Sequence, residues 1–195
     1  SSKCTLILTE GLSARTFAIS GLSVVGREEW GVFPLKGKIL NLRNASVKQI
    51  AENAEFGYIK RILGLKQGVK YESLKQLRYG RVLVLADADV DGIHIRGLVI
   101  NAIQMYWPEL VQLGFVCTMR TPIIKARKGN EVHSFYTADE FDRFKESVSI
   151  ASYACKYYKG LGTSTPQEAK DIFKSMDVVE YAWDDRAPAL SLIHI

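Results

Sequence analysis

The stretch that decides the fold runs from Arg81 to Gly92 and reads RVLVLADADVDG. Its opening residues are mostly Val and Leu, which is typical of a strand buried on both faces of a parallel sheet. Three carboxylates follow, on Asp87, Asp89 and Asp91. Because residues two apart share one face of an extended chain, the pattern predicts that these side chains point the same way at the carboxyl end of the strand, where open α/β sheets bind ligands.

A cation would explain why these acids are clustered. Like charges this close repel one another, so the cluster is favourable only when a cation neutralises it or water screens it fully. The buried strand that leads into the cluster favours the cation, and carboxylate oxygens are ligands that Mg²⁺ prefers. Gly92 is expected to allow a sharp turn, after which the apolar spacing from Ile93 to Trp107 predicts a helix that ends before Pro108.

Three other interpretations of the acid cluster stay open on this evidence. The spacing matches the first half of an EF-hand loop, but the twelfth position counted from Asp87 is Leu98, where that loop needs a bidentate Glu. Asp87 is also where a phosphotransferase would carry a phosphoryl group, although such enzymes normally place their Asp pair on the first strand. The third interpretation is a loop of solvated aspartates without a ligand.

A further acid follows an earlier apolar run. Residues Cys4 to Ala14 read CTLILTEGLSA, which predicts a strand that leads to Glu10 and then a helix to Val24 with Ser13 as its N-cap. On a parallel strand beside the aspartates, Glu10 would complete a site of four carboxylates that is able to hold one or two magnesium ions.

Four motifs, in this order, are similar to one known family. They are TEGLSA at 9–14, FPLKGKILN at 33–41, DADVDGIHI at 87–95 and YKGLGT at 158–163. Together they resemble the Toprim domain of type IIA DNA topoisomerases in their eukaryotic form, over almost the whole chain. The resemblance implies the magnesium-binding part of a larger, ATP-dependent enzyme that makes and reseals transient double-strand breaks to change DNA topology.

The resemblance also implies roles for the acids. Glu10, Asp87 and Asp89 are expected to bind Mg²⁺ and to be the catalytic residues, Glu10 as a candidate general acid or base, with Asp91 as a further metal ligand. One or two Mg²⁺ ions are expected, and Mn²⁺ or Ca²⁺ should be able to replace them in binding. In the implied reaction a tyrosine attacks a DNA phosphodiester, and the metals stabilise the charge on the phosphate and on the leaving 3′ oxygen.

Several basic and polar residues are expected to contact DNA. Lys38 and Asn41 match DNA-contacting positions of the family, and Lys36 lies on the same basic loop, which suits a phosphate backbone or could simply be solvated. A lysine in the YKGLGT motif could meet a phosphate or an acid of the metal site. Two more candidates fall on the predicted first turn of the helix after the aspartates, one of them a histidine, a residue that is more often structural. The full set is Lys36, Lys38, Asn41, His94, Arg96 and Lys159.

One position departs from the family. Leu12 stands where the family has an Asp, which removes a negative charge beside the scissile phosphate. This keeps open a second function, an inert Toprim-like scaffold that binds DNA or partner subunits, although the retained Glu10, Asp87 and Asp89 argue against it. The family's catalytic tyrosine lies in a downstream domain and its ATP site in an upstream one, so this stretch alone is expected to be inactive. The whole enzyme is expected to be a homodimer that acts on double-stranded DNA.

Composition agrees with one α/β domain and an appendage. The chain has 195 residues, 47% of them hydrophobic, and a net charge of +5, which favours DNA without proving it. Its 3 cysteines contain no C-x-x-C pair, which predicts a reducing compartment and no zinc site. No apolar stretch reaches the roughly 20 residues that cross a bilayer, and no signal peptide is recognisable, so no membrane partner is expected. We expect an intracellular location: the nucleus of a eukaryote, or the host cytoplasm or virion of a large DNA virus.

The predicted fold class is α/β, since strands and helices alternate. A Rossmann-like Toprim fold with a parallel central sheet flanked by helices is predicted for 1–127, and a C-terminal α+β extension that carries the Lys-Gly-Leu-Gly motif for 128–195. Strands are predicted at 5–9, 31–35, 81–86 and 115–119, the last continuing through 121–126 and pairing with 132–136. Helical segments are predicted within 46–77 and at 138–146 and 167–176. Thr165, Pro166 and Glu168 are predicted as the N-cap, first and third positions of the last helix.

Overall fold

Two sheets and seven helices make up the part of the chain that the computed structural model describes, residues 2–36, 40–42 and 44–181. The strands are β1 (Thr5–Glu10), β2 (Trp30–Leu35), β3 (Arg81–Leu85), β4 (Val116–Arg120), β5 (Ile124–Lys128), β6 (Glu131–Phe135), β7 (Ala154–Tyr157) and β8 (Asp177–Glu180). The helices are α1 (Gly11–Val25), α2 (Val47–Glu52), α3 (Ala54–Leu63), α4 (Val90–Tyr106), α5 (Pro108–Gln112), α6 (Ala138–Ser147) and α7 (Pro166–Lys174). Short 3₁₀ turns lie at Leu74–Gln76, Ile150–Ser152 and Leu161–Thr163.

The larger sheet has the strand order β2-β1-β3-β4-β8. β1 runs parallel to β2 and to β3, β3 runs parallel to β4, and β8 is antiparallel to β4. This mostly parallel sheet confirms the predicted α/β class. The carboxyl ends of β1 and β3 lie side by side because Thr9 is opposite Leu85. The residues that follow these two strands are therefore neighbours in space, although they are far apart in sequence.

Side chains of the two central strands alternate between two apolar layers. Leu6 and Leu8 of β1 pack in the layer that contains α3, α4 and α5, whereas Ile7 packs in the layer that contains α1 and α7. This is the period-two alternation of an extended chain with helices on both faces. Trp107 anchors the first layer and Phe173 the second, both fully buried. Burial of these apolar side chains holds β1 and β3 in place, and the acids follow at the ends of these two strands.

Helix α7 packs on α1 through a glycine. Gly21 faces the ring of Phe173, and a Cβ at Gly21 would lie 2.1 Å from that ring. Phe17 meets the same ring edge to face, with ring centroids 6.0 Å apart. The close approach fixes α7 to the helix that directly follows Glu10.

The second sheet is antiparallel and has the order β6-β5-β7. Its own small core joins β5 and β6 to α6 through Ile124, Ala126, Phe135 and Phe141. This confirms the expected C-terminal α+β region. The predicted hairpin between β5 and β6 is also present and turns at Gly129, whose φ of 59° is in the left-handed region that favours glycine.

The path between the two sheets differs from the prediction. β4 was expected to continue through residues 121–126, but it ends at Arg120, and β5 begins at Ile124 in the other sheet. Pro122 lies in the gap, where its missing N–H cannot support a strand ladder. The short strands β7 and β8 were not predicted.

Helix α1 begins earlier than the sequence indicated. It starts at Gly11 directly after β1, so Glu10 occupies the N-cap position and Ser13 lies inside the first turn. The prediction of Ser13 as the N-cap is therefore wrong. Gly11 makes the direct passage from strand to helix possible because its φ is 75°.

Helix α4 also begins earlier, at Val90, and this changes the arrangement of the aspartates. Asp89 is its N-cap and accepts a hydrogen bond from the Gly92 N–H at 2.8 Å. The prediction of three aspartates on one face of an extended chain is wrong, because Asp87 lies in the loop, Asp89 caps the helix and Asp91 is in its first turn. Gly92 is inside the helix and does not form the predicted turn; a Cβ there would lie 1.9 Å from the Asp87 carbonyl oxygen.

The start of α7 matches the prediction. Thr165 is the N-cap, Pro166 occupies the first turn and Glu168 is at the third position, with both hydrogen bonds of a capping box formed. None of the helices within the described ranges is long and apolar enough to cross a bilayer.

Candidate metal centre

Glu10 and Asp87 meet where β1 and β3 end. The Glu10 Oε2 atom accepts a hydrogen bond from the Asp87 N–H at 3.2 Å. The two residues are 77 positions apart in sequence and are brought together by the parallel pairing of their strands. The sheet thus joins the acids of the first and third motifs at one edge.

The Lys-Gly-Leu-Gly segment closes over Asp87. The Leu161 N–H donates to the Asp87 Oδ1 atom at 2.8 Å, and a Cβ at Gly160 would lie 2.3 Å from Oδ2 of the same carboxylate. Gly160 therefore allows the close approach, since any side chain there would displace the Asp87 carboxylate or the loop. The sequence did not indicate the role of the Leu161 N–H, because every residue except proline has such a backbone group. The two glycines on either side of Leu161 were the available signal of a close approach.

The other two aspartates lie further along the chain and are exposed. One carboxylate oxygen of Asp89 is engaged by the Gly92 N–H at 2.8 Å. Asp91 lies in the first turn of α4, where the positive end of the helix dipole favours a negative charge. The acids of this motif therefore differ in their surroundings: Asp87 is half-buried, and Asp89 and Asp91 face solvent.

The electrostatics of the site show mutual repulsion. Burial raises the pKa of Glu10 above its ordinary value of 4.5, and the negative charges of Asp87, Asp89 and Asp91 raise it further, against the lowering effect of the Asp87 backbone N–H. Four carboxylates thus influence one another, and a cation at this edge would relieve the repulsion.

The chemistry of the donor set fits Mg²⁺, whereas the side-chain positions do so only in part. Among the residues that the structure describes, no group of three or more His, Cys, Asp or Glu side chains is arranged to hold a metal ion. Mg²⁺ commonly uses one or two carboxylates and keeps several waters, so Glu10 and Asp87 satisfy the minimum requirement. Asp89 could contribute the oxygen that its helix cap does not use.

The residues predicted to contact DNA differ in their settings, where the structure describes them. Lys36 follows β2 and is exposed, as are Asn41 and Lys159, whereas Lys38 lies outside the described residues. His94 is also exposed. Because α4 begins at Val90, His94 falls in its second turn, so the prediction of the first turn is wrong.

Arg96 is likewise in the second turn of α4, and it is half-buried. Its Nη1 atom donates to the Ala86 carbonyl at 3.3 Å, just before the aspartates. It also lines a cavity of about 430 Å³ together with Thr118, Arg120 and Tyr136. Its guanidinium thus supports the end of β3 from the side of α4.

Comparison with known families identifies the class of protein that this fold and site define. The model described as the Toprim domain matches residues 5–119, and the model described as the C-terminal associated domain of TOPRIM matches residues 119–192. The chain therefore belongs to the Toprim family, which confirms the resemblance seen in its motifs.

Individual relatives narrow this class to type II DNA topoisomerases. The chain is 50% identical over 192 residues to DNA topoisomerase 2 of Acanthamoeba polyphaga mimivirus, covering 94% of this chain and 15% of that protein. It is 55% identical over 180 residues to DNA topoisomerase 2 top-2 of Caenorhabditis elegans, covering 90% and 12%. The solved DNA-binding, cleavage and re-ligation domain of Plasmodium falciparum topoisomerase II superposes with a TM-score of 0.90 at 46% identity, over 94% of this chain and 26% of that one. The chain thus corresponds to the Toprim region of a type II topoisomerase and spans 12–15% of the length of these two curated relatives.

Proposed function

We propose that this chain is the magnesium-binding part of an ATP-dependent type IIA topoisomerase, which makes and reseals transient double-strand breaks in DNA. The observation that carries the proposal is the meeting of Glu10 and Asp87 at the ends of adjacent parallel strands, within a Toprim chain. The similarity to the DNA-binding, cleavage and re-ligation domain of Plasmodium falciparum topoisomerase II supports it. ATP would bind in another part of the whole enzyme, which we propose to be a homodimer.

The residues of this chain would have different roles in metal binding and proton transfer. Glu10, Asp87 and Asp89 would hold one or two Mg²⁺ ions, with Asp91 as a further ligand. When bound, Mg²⁺ would supply positive charge beside the scissile phosphate and the leaving 3′ oxygen. The environment of Glu10 favours its protonated form more than water does, which suits a group that holds or accepts a proton during strand exchange. The Leu161 N–H keeps the Asp87 carboxylate in place.

Double-stranded DNA would lie along the same edge of the sheet. Lys36, Lys38 and Asn41 would contact it from the stretch of sequence that follows β2, and His94 and Arg96 from α4. Lys159 would reach a phosphate from the Lys-Gly-Leu-Gly loop, whose backbone already touches Asp87. Such contacts neutralise phosphates and hold the duplex in register. The attacking tyrosine would come from another part of the enzyme, and none of the tyrosines here is assigned that role.

A second candidate function is the inert scaffold, and two observations favour it. Leu12 is 72% exposed at the start of α1, two residues after Glu10, and its apolar side chain offers no charge to a cation or to DNA. The described side chains also form no group of three ligands. Such a scaffold would bind DNA without needing a metal.

A Mn²⁺ titration of the 195-residue chain, followed by electron paramagnetic resonance, separates these functions. It is run with and without a short nicked duplex, on the parent chain and on the double variant Asp87→Asn, Asp89→Asn. We expect saturable binding that DNA strengthens and that the double variant loses. The matched control is Asp139→Asn, Asp142→Asn, which removes two exposed aspartates from α6 and should change nothing.

Each alternative outcome has a definite meaning. Binding that survives in the Asp87→Asn, Asp89→Asn variant would remove these residues from the metal site. A parent chain that binds DNA but no Mn²⁺ in either condition would favour the inert scaffold.

A further inference from the structure

One carboxylate in the C-terminal region collects an unusually large set of donors. Glu168 accepts hydrogen bonds from the Lys156 Nζ atom at 2.8 and 2.9 Å, from the Tyr158 hydroxyl at 2.5 Å and from the Thr165 N–H at 2.7 Å. Its side chain is only 21% exposed. A capping box needs the Thr165 bond alone, so the bonds to Lys156 and Tyr158 require a further explanation.

These extra donors lie at the base of the loop that touches the acid cluster. Lys156 is in β7, and Tyr158 immediately precedes Lys-Gly-Leu-Gly. The Tyr158 N–H is fixed to the Ile123 carbonyl at 2.8 Å, and its hydroxyl is fixed to Glu168. The Leu161 N–H that binds Asp87 follows within three residues, so the Glu168 network sets where the loop leaves its sheet.

Glu168 is also tied to the other half of the site. It lies in the first turn of α7, and α7 packs on α1 through Phe173 and Gly21. Helix α1 directly follows Glu10. One residue, Glu168, therefore connects the loop over Asp87 with the helix that directly follows Glu10.

The geometry points to Glu168 as a positioning residue: by holding Tyr158 and Lys156 it fixes the loop whose Leu161 N–H orients the Asp87 carboxylate before a metal arrives. This inference rests on the proposed function, since orienting Asp87 matters to a reaction only if Asp87 binds a metal. Groups that orient a ligand in this way typically change metal affinity by about 10- to 100-fold when they are removed.

The protonation of Glu168 agrees with this role. Burial tends to raise its pKa, but the hydrogen bonds from Lys156, Tyr158 and Thr165 outweigh burial and lower the pKa from 4.5 to about 2. Glu168 therefore stays ionised across the neutral range and keeps its bond to the Tyr158 hydroxyl.

The chain contains a matched control for the test. Glu140 is the third residue of α6 and forms the same kind of capping box with Thr137, and it accepts a bond from the Tyr136 N–H at 2.7 Å. Glu168→Gln and Glu140→Gln each remove a charge while keeping a side chain that can complete a capping box. Only Glu168→Gln weakens the hydrogen bonds with Lys156 and Tyr158 at the base of the Lys-Gly-Leu-Gly loop. Tyr158→Phe removes the hydroxyl donor alone.

Two readouts are measured on the 195-residue chain and these three variants. The first is amide hydrogen exchange at Leu161 without metal, and the second is the Kd for Mn²⁺. In Glu168→Gln we expect Leu161 to exchange about tenfold faster and the Kd for Mn²⁺ to rise about tenfold. Tyr158→Phe should have a smaller effect in the same direction, and Glu140→Gln should leave both values unchanged.

The readouts distinguish failure of the inference from failure of the proposed function. Unchanged Leu161 exchange in Glu168→Gln, or an equal change in Glu140→Gln, overturns the positioning role whether or not metal binds. If the parent chain binds Mn²⁺, and Glu168→Gln speeds Leu161 exchange but leaves the Kd for Mn²⁺ unchanged, the positioning role is also overturned. A parent chain that binds no Mn²⁺ overturns the metal-binding function, and with it the role of Glu168 in metal binding.

Discussion

The two junctions between strand and helix that carry the acids, β1 to α1 and β3 to α4, are built differently. At the first, the helix begins at once through Gly11, and the Glu10 side chain makes no cap bond to α1. At the second, a loop separates strand and helix, and Asp89 accepts a bond from Gly92. Glu10 is consequently available to reach across to the Asp87 N–H, whereas Asp89 is engaged within its own helix.

This difference shows that acids at one edge of a sheet can have different structural roles. Asp87 and Glu10 depend on contacts between segments that are distant in sequence. The Leu161 N–H donates to the Asp87 carboxylate, and the Asp87 N–H donates to the Glu10 carboxylate. Asp89 has a local structural role in addition to any metal role. Substitutions can therefore separate what each junction contributes to stability from what it contributes to binding.

The largest expected effect on stability comes from filling the space above Asp87. Gly160→Ala would place a Cβ 2.3 Å from the Asp87 Oδ2 atom, so the carboxylate or the loop must move and the Leu161 bond is lost. We expect a loss of about 1–3 kcal/mol in the free energy of unfolding, measured by urea denaturation, together with weaker Mn²⁺ binding.

Gly162→Ala is the control for this change. Its Cβ would lie 3.3 Å from the Ser13 Cβ atom, a contact that a small adjustment can accommodate. If both alanine variants lose the same stability, the close approach to Asp87 is not what makes Gly160 necessary.

A smaller effect separates the two roles of Asp89. Asp89→Ala removes the acceptor for the Gly92 N–H and should cost about 1 kcal/mol in the free energy of unfolding. Asp89→Asn keeps a good capping side chain and should cost only a few tenths of a kcal/mol. Both variants should bind Mn²⁺ more weakly, because both lose the charge. Equal destabilisation by Ala and Asn in urea denaturation would mean that the cap is not the structural role.

These differences also mark what sequence could and could not predict. The buried runs that became β1 and β3 were recognisable because both faces of a parallel strand are apolar. The start of α4 was missed because Asp89 suits both the end of a strand and the cap of a helix, and Gly92 was interpreted as a turn. The early start of α1 was missed because Ser13 is the better capping residue by type, while Gly11 allows the helix to begin without one.

Long-range pairing decided the elements that no local pattern indicated. β8 has only four residues and is half-buried for most of its length; its place is set by pairing with β4, with Thr118 opposite Val179. β7 likewise gains its strand structure from β5. The Glu168 network was visible only as a helix cap, because nothing in the sequence reveals that Lys156 and Tyr158 turn towards it.

The smallest expected effect concerns Glu10 and its dependence on pH. Its pKa in the folded chain is raised above the ordinary value of 4.5 by burial and then by the aspartates. A raised acid pKa means that the contribution of Glu10 to stability is fully present below pH 4.5 and is lost as the pH rises through the folded pKa. Glu10→Gln cannot ionise, so without metal its stability relative to the parent chain should increase over that interval, in urea denaturation at a series of pH values.

Addition of Mn²⁺ should reverse this trend at neutral pH. The ion stabilises the folded parent chain by mass action, while the glutamine variant, which lacks the charge, gains less. A difference between the two chains that stays constant with pH would mean that repulsion among the acids does not weaken the metal-free fold. A difference that Mn²⁺ does not alter would mean that Glu10 does not take part in binding the ion. The expected reversal would show that the cation stabilises the β1 to α1 junction. Without the cation this junction is less stable, because the Glu10 carboxylate lies beside the aspartates and is repelled by them.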